Sequence, residues 1–286
     1  MVSRRTVQTV LGAVWFLDGL LQLKPEMFTS SFIKQVILPT GQGQPDWIST
    51  LVNWGAQVAD SHIVVWNLLF ALVQLALGIA LMFNFKTKQT ILASIVWSAM
   101  VWIFGEGVGQ ILTGQALLLT GAPGAVLIYA LLGIAIWPAK NQPTRQWWVP
   151  GIRFAQISLG CLWFAGFLMH FQPSYLTPTG FSQAVSVPWL AKWIGDSSVA
   201  VSIVLGLVEL ALATMLLFKL RLRTAVWASV ILSIVYWWVG QSFGQVLDPV
   251  ATDVNSGPLM ALLALCAYPQ LWNAFQRRVH HKVQMH

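Results

Sequence analysis

The stretch LGAVWFLDGLLQLKP at Leu11–Pro25 recurs as LGCLWFAGFLMHFQP at Leu159–Pro173, an offset of 148 residues. Two further matches, both at an offset of 135 residues, join later segments of the two halves: Ala71–Phe83 with Gly206–Phe218, and Trp102–Gln110 with Trp237–Gln245. Ordered Trp, Gly and Gln residues at constant spacing indicate a tandem duplication. The difference between the offsets, 148 − 135 = 13 residues, is the extra length of the first outer loop.

Composition places these repeated segments in a membrane. Of the 286 residues, 57% are hydrophobic and 9% are charged, against about 45–50% and about 25% in an ordinary soluble domain. A helix needs about 20 mainly apolar residues to cross the hydrocarbon. Continuous apolar runs predict an all-α protein with eight transmembrane helices, as two parallel four-helix repeats, at residues 7–24, 62–84, 90–112, 117–137, 152–171, 198–218, 224–247 and 257–272.

The basic residues predict the orientation of these helices. Thirteen of the 16 Lys and Arg residues fall at both termini and at alternate connections: Arg4, Arg5, Lys86, Lys88, Lys140, Arg145, Arg153, Lys219, Arg221, Arg223, Arg277, Arg278 and Lys282. The positive-inside rule then predicts that both termini lie in the cytoplasm. The membrane that the chain spans is expected to be the cytoplasmic (inner) membrane. The net charge of +7 is explained by topology, so it does not predict nucleic-acid binding.

The duplication also defines the domains. Residues 1–139 form the first four-helix repeat with a long outer loop at 25–61, residues 140–151 form a cytoplasmic linker, and residues 152–286 form the second repeat with a basic C-terminal tail. The outer loop carries Phe28, Phe32, Ile33, Val36 and Ile37 near helical spacing, which predicts an interfacial or re-entrant segment.

The repeated unit resembles the DoxX-like membrane proteins. It opens with a Leu-Gly-x-x-x-Phe first span and a Pro-aromatic outer loop, and its second span is rich in small residues and carries one polar residue, Gln74 or Glu209. That family includes a small subunit of thiosulfate:quinone oxidoreductase. The resemblance therefore implies a redox partner subunit and a quinone as ligand, although it transfers no catalytic motif residue by residue.

Acidic residues within predicted spans mark a candidate site. An ionised acid at a helix centre costs about 2.5–3.5 kcal/mol, so Asp18, Glu106 and Glu209 are either neutral or face a polar interior. The offset of 135 pairs Gln74 with Glu209 and Glu106 with Gln241. If these faces meet, each half supplies one carboxyl and one amide, and Glu–Gln hydrogen bonds join the halves.

The predicted polar site opens toward the outer side of the membrane, with Glu209 nearer the middle. It consists of Asp18, Gln74, Glu106, Gln110, Glu209, Gln241 and Gln245. The neighbouring Gly105-x-x-x-Gly109 and Gly240-x-x-x-Gly244 patterns are typical of close helix packing. His62 and His170 are weak candidates as metal or haem ligands, because they are not equivalent in the two repeats.

Three functions fit this pattern. The first is a redox-associated membrane subunit that presents a quinone or a small electron donor to the polar site, with Glu106 and Glu209 handling protons. The second is a proton-coupled carrier of a small solute, which duplication and intramembrane carboxyls suggest, although no span looks broken in its centre. The third is a scaffold or assembly factor, in which the polar pairs only hold helices together.

The carboxyl of Glu209 offers a direct test of the intramembrane assignment. We expect it to be neutral at pH 7, because an uncompensated charge at this depth is costly. Infrared titration that compares the protein with Glu209→Gln should assign a protonated carboxyl band to this residue at pH 7. A carboxylate band at that pH would contradict the expectation.

Overall fold

The computed structural model describes residues 2–138, 143 and 145–269. The regular secondary structure of this part of the chain is all helical, and it contains no strand. Several sequence predictions concern residues outside it: the end of the eighth span at 270–272, residues 140–142 and 144 of the linker, the C-terminal tail, and the basic residues Lys140, Arg277, Arg278 and Lys282.

Ten helices of seven or more residues, numbered here in chain order, lie in the described residues: α1 (Arg4–Leu21), α2 (Asp46–Ser61), α3 (Ile63–Met82), α4 (Thr87–Phe104), α5 (Ala125–Ala135), α6 (Val149–Met169), α7 (Pro188–Ile194), α8 (Ser198–Leu217), α9 (Leu222–Val239) and α10 (Ser256–Ala267). Shorter helical turns lie in the connections: Pro25–Phe28, Ser30–Phe32, Ile33–Ile37, Leu38–Thr40, Val108–Gln110, Pro173–Leu176, Gly180–Gln183, Gly195–Ser197 and Ser242–Gln245.

Five helical segments in the described residues are long and apolar enough to cross a membrane: Ile63–Met82, Thr87–Phe104, Val149–Met169, Pro188–Leu217 and Leu222–Val239. They agree with the expectation of a membrane protein. Helix α1 has 18 residues but carries Arg4, Arg5 and Asp18. The α5 and α10 helices have 11 and 12 residues, or about 16–18 Å at 1.5 Å per residue, which is about half of the hydrocarbon thickness.

Helix α5 is shorter than the continuous span expected at 117–137. Helix α10 begins at the start of the span expected at 257–272 and ends at Ala267, and residues 270–272 of that span lie outside the described part of the chain. Pro123 cannot continue a helix, because it lacks an N–H and its ring clashes with the preceding turn, and Gly124 precedes α5 with φ +98°. The apolar residues that suggested a longer span, Leu117, Leu118 and Leu119, are buried but not helical. Irregular backbone at membrane depth is tolerated when protein surrounds it, and this segment is so surrounded.

Close helix packing occurs between α1 and α3. A Cβ atom on Gly12 would lie 2.8 Å from the carbonyl oxygen of Gly78, and one on Gly78 would lie 2.6 Å from the backbone nitrogen of Phe16. The α6 and α8 helices approach similarly, since a Cβ atom on Gly160 would lie 2.8 Å from the side chain of Leu217. Backbone contact at these positions leaves no room for larger side chains.

Several hydrogen bonds occur at matching positions of the two halves. Trp15 Nε1 donates to Ser94 Oγ over 2.9 Å, and Trp163 Nε1 donates to Ser229 Oγ over 3.0 Å. A second pair of hydrogen bonds joins α4 to the segment before α5, and α9 to the segment before α10. Trp102 Nε1 donates to the carbonyl of Pro123, and Trp237 Nε1 donates to that of Val254, both over 2.7 Å.

The first outer loop is folded against the helices rather than free. Its helix α2 and the preceding turns form an apolar cluster that includes Met27, Phe32, Ile33, Ile37, Ile48 and Val52. This helix also packs on α4, where a Cβ atom on Gly55 would lie 3.0 Å from Phe104 Cβ. The extra length of this loop therefore covers one side of the first half.

Basic residues close the opposite end of the bundle. Arg4 Nη1 donates to the carbonyl of Ile136 over 3.0 Å, just after α5, and Arg5 Nη1 donates to that of Leu81 near the end of α3 over 2.8 Å. The last carbonyls of a helix lack partners within the helix, and they carry partial negative charge. The two guanidinium groups donate hydrogen bonds to these carbonyls, and their positive charge interacts favourably with the partial negative charge there.

The α1–α3 contact predicts the effect of substitution. Gly12→Leu should lower the free energy of unfolding by about 1–3 kcal/mol through overpacking, measured as a fall in thermal midpoint in detergent. Ala13→Leu is the matched control, because Ala13 is exposed on the same helix and should tolerate the change. Equal midpoints for the two variants would contradict the close approach of the helices.

Candidate functional site

Two cavities adjoin at the end of the bundle away from the basic residues. The larger one is open and polar, with a volume of about 870 Å³. Its lining includes Thr40, Glu106, Gln110, Tyr175, Asp253 and Asn255. Burial raises the pKa of Tyr175 to about 12, so its hydroxyl stays protonated and donates to the carbonyl of Gln115 over 2.5 Å.

The smaller cavity is mostly apolar and has a volume of about 330 Å³. Helices α1, α2, α3 and α4 supply six of the aromatic residues in its lining, Trp15, Trp54, Trp66, Phe70, Trp97 and Phe104, and Phe32 in a turn before α2 supplies the seventh. Its polar lining includes Asp18, Gln22, Gln74, Glu106 and Asp253. Because Glu106 and Asp253 line both cavities, they stand where the polar and the apolar spaces meet.

Asp18 is the most enclosed acid of the apolar cavity. Its side chain is 2% exposed, and Tyr129 from α5 donates its hydroxyl to Asp18 Oδ2. The other oxygen, Oδ1, is buried and has no hydrogen-bond partner in the described part of the chain. One half of this carboxyl is therefore held by the protein, and the other half is free to receive a donor.

Glu106 follows α4 and reaches the start of the short helix α5. Its Oε1 accepts from the backbone nitrogen of Val126 over 3.3 Å, so the carboxyl occupies the place of an N-cap. Carboxylates are favourable there because the first N–H groups of a helix lack other partners and carry partial positive charge. Glu106 Oε2 is buried, and no described residue gives it a hydrogen bond.

Gln241 caps the start of α10 in the same way as Glu106 caps the start of α5. Its Oε1 accepts from the backbone nitrogen of Gly257 over 2.9 Å, and its Nε2 donates to Ser256 Oγ over 3.0 Å and to the carbonyl of Leu118 over 3.2 Å. The two positions are 135 residues apart in the sequence. An acid and an amide thus make the same type of cap in the two halves.

The two glycine patterns beside these residues are not helix-packing motifs, contrary to expectation. Helices α4 and α9 end at Phe104 and Val239, so each pattern lies in a turn. Gly109 and Gly244 have φ of +64° and +72°, where glycine avoids the steric cost of a side chain. A Cβ atom on Gly109 would also overlap the carbonyl of Pro123.

Glu209 lies in a separate buried cluster of the second half. Tyr236 donates its hydroxyl to Glu209 Oε1 over 2.6 Å, and His170 Nε2 lies 3.7 Å from Glu209 Oε2. His170 Nδ1 in turn lies 2.9 Å from Ser202 Oγ. None of these four residues lines either cavity.

The structure therefore divides the predicted polar site. Asp18, Gln74 and Glu106 share the apolar cavity, and Gln110 lines the open one. Glu209 and Gln241 have the other partners given above, and Gln245 is exposed. The Glu–Gln hydrogen bonds expected between the halves are not among the contacts of the described residues, because Glu106, Glu209 and Gln241 have other partners and Gln74 Oε1 has none there.

The two weak metal candidates lie in different environments. His62 is exposed between α2 and α3, with Nδ1 3.2 Å from Ser61 Oγ, whereas His170 is 1% exposed beside Glu209. Across the described residues, no group of three or more His, Cys, Asp and Glu side chains has an arrangement that could hold a metal ion.

The sequence leaves two alternatives open for Asp253, a solvated residue or part of the mouth of an outward-facing cleft, and in the structure it lines both cavities. It lies in the loop before α10, where its Oδ1 accepts from the backbone nitrogen of Asn255 over 2.6 Å. Tyr129 was missed, since a tyrosine in an apolar run resembles an interfacial anchor until its partner is known.

Comparison of the chain with known protein families, curated proteins and solved structures finds no match.

The capping role of Glu106 predicts a graded response to substitution. Glu106→Ala should lower the free energy of unfolding by about 0.5–2 kcal/mol, as loss of an N-cap does. Glu106→Gln should retain most of the stability, because Gln241 makes this cap on α10. Thermal unfolding in detergent measures both, and equal losses in the two variants would contradict the capping role.

Proposed function

We propose that this chain is a proton-coupled carrier of a small solute. It would admit its solute through the open polar cavity, pass it between Glu106 and Asp253, and hold it in the apolar cavity. The observation that carries the proposal is the sharing of these two acids by both cavities. The short helices α5 and α10 also support it, because interrupted membrane helices commonly surround the sites of carriers.

Asp18 and Glu106 are the proposed proton sites. Each has one carboxyl oxygen engaged by the protein and a second oxygen that is buried without a partner among the described residues. Such a carboxyl can take up a proton when the cavity is empty and release it when a ligand supplies a positive charge or a donor. We assign no transport role to Glu209, because it lies outside both cavities.

The repeat organisation and the topology belong to this proposal. We infer two parallel four-helix repeats of DoxX-like type with eight membrane-embedded segments, of which α5 and α10 cross only part of the hydrocarbon. The paired hydrogen bonds of Trp15 and Trp163 support the duplication, as do those of Trp102 and Trp237. The basic end would face the cytoplasm and the cavities the outer side of the inner membrane.

Quinone binding is the second candidate function. The aromatic wall of the apolar cavity suits a flat ring, and Trp97 Nε1, which is buried and has no partner in the described chain, is a donor for a quinone oxygen. A redox partner subunit would supply electrons. A short-chain quinone should then quench the tryptophan fluorescence of the protein, and Trp97→Phe should weaken binding. Unsaturable quenching that Trp97→Phe leaves unchanged would contradict this candidate.

Proton flux tests the carrier proposal. Proteoliposomes that contain a pH-sensitive dye are exposed to a panel of amino acids, sugars, organic acids and amines, with protein-free liposomes as the control for passive permeation. At least one solute should drive protein-dependent proton movement, and Asp18→Asn combined with Glu106→Gln should abolish it.

Glu209→Gln is the matched control for that experiment, since it removes a buried carboxyl outside both cavities and should preserve the flux. Flux that survives the double variant, or a protein that moves no protons with any solute of the panel, would contradict the carrier proposal. A double variant that changes only thermal stability would favour a scaffold.

The orientation has its own test. In a Cys161→Ser, Cys266→Ser background, Gln110→Cys should react with a membrane-impermeant thiol reagent applied to spheroplasts, because Gln110 is exposed in the open cavity. Lys88→Cys, exposed at the basic end, should react only after permeabilisation. The reverse pattern would contradict the proposed topology.

A further inference from the structure

We propose that the apolar cavity binds a protonated primary amine with a small apolar body. This inference rests on the proposed carrier function for its biological meaning, although the binding it describes can be measured without transport. It follows from the unpaired atoms of the cavity, from the charge of its lining and from its aromatic wall.

Unpaired hydrogen-bond acceptors are the first observation. Three side chains that line the apolar cavity each carry a buried oxygen without a partner among the described residues: Asp18 Oδ1, Gln74 Oε1 and Glu106 Oε2. Asp18 is 98% buried (2% exposed), so water in the bulk does not satisfy it. A buried polar group without a partner costs free energy, and an ammonium group with three N–H donors could satisfy all three oxygens.

Charge is the second observation. Asp18, Glu106 and Asp253 line one cavity, and no Lys, Arg or His is found among the described residues that line it or its open neighbour. The nearby Lys24 is engaged elsewhere, since its Nζ donates to the carbonyls of Val246 and Asp248. Three carboxyls in a low-dielectric space repel one another and favour a positive ligand over a neutral or negative one.

The wall of the cavity is the third observation. Four tryptophans and three phenylalanines line it, and the face of an aromatic ring attracts a cation, most strongly where water is excluded. The same rings accommodate an apolar substituent by hydrophobic contact. These features favour an organic cation over a metal ion, for which the described residues provide no suitable group of three ligands.

The route into the cavity also favours a positive ligand. A cation that enters the open polar cavity meets Glu106 and Asp253 first, at the place where the two cavities adjoin. Acidic groups at such an entrance raise the local concentration of positive ligands. The amine would then lie with its ammonium group toward Asp18 and Glu106 and its apolar body among the tryptophans.

Isothermal titration calorimetry on the detergent-purified, full-length protein tests this with a matched series of probes. Benzylammonium has the proposed chemistry, benzyl alcohol has nearly the same shape without charge, and benzyltrimethylammonium has the charge without N–H donors. We expect benzylammonium to bind at least about tenfold more tightly than either of the others, a difference of about 1.4 kcal/mol. Benzyl alcohol that binds as tightly as benzylammonium would overturn the inference.

Three variants locate the site. Asp18→Asn and Glu106→Gln should each weaken benzylammonium binding about tenfold or more, whereas Glu209→Gln, outside the cavity, should leave it unchanged. Thermal unfolding of each variant with and without benzylammonium separates loss of the site from loss of the fold, because a folded variant without the site shows no ligand-dependent shift. Equal losses in Asp18→Asn and Glu209→Gln would overturn the assignment.

The two proposals fail in different ways. Selective benzylammonium binding without solute-driven proton flux would support the amine site and contradict the carrier. Proton flux driven by a neutral solute, with no preference for benzylammonium over benzyl alcohol, would support the carrier and contradict the amine site.

Discussion

The need of every backbone N–H and C=O group for a partner inside the bilayer is the constraint on which this structure depends. Residues 117–119 before α5 and 251–255 before α10 are not helical, and Leu117, Leu118, Leu119 and Val254 in them are buried. In each half an N–H group in the first turn of the following helix is met by a side chain from the preceding turn, Glu106 in one half and Gln241 in the other. The candidate site contains the acidic member of this pair.

The choice of cap has a consequence for the neighbouring space. Gln241 uses both ends of its amide in hydrogen bonds to neighbouring groups. Glu106 engages one oxygen only, and its side chain lines a cavity to which the first outer loop contributes Phe32 and Trp54. The extra length of that loop and the acid at the cap thus contribute to the same cavity, so the two halves differ in what they can bind although similar features recur in both.

Much of this architecture is visible in the sequence. The membrane character follows from long apolar runs, and all-helical structure follows because lipid-exposed backbone must pair within its own segment. The length of α5 was overestimated, because Leu117, Leu118 and Leu119 look the same to a hydropathy pattern whether they face lipid in a helix or other protein groups in an irregular segment. Pro123 and Gly124 indicate the correct start of α5, because a proline cannot continue a helix that begins before it.

The site could be predicted only in part for a related reason. Asp18, Gln74 and Glu106 were recognised because an acid or amide within an apolar run is costly wherever it points. Their grouping without Glu209 could not be read from the repeat, since equivalent positions in two halves share a local environment without having to meet. Asp253 comes from a distant loop, and only the folded chain brings it beside Glu106.

A cryo-EM structure of the protein in a lipid nanodisc is the most direct test of the central claim, that a break before α5 places the Glu106 carboxyl where a polar cavity adjoins an apolar one. We predict an irregular segment before Ala125 within the lipid density, with Glu106 against the start of α5 and a cavity beside it. A continuous helix through residues 117–137, with Glu106 turned toward lipid, would contradict it.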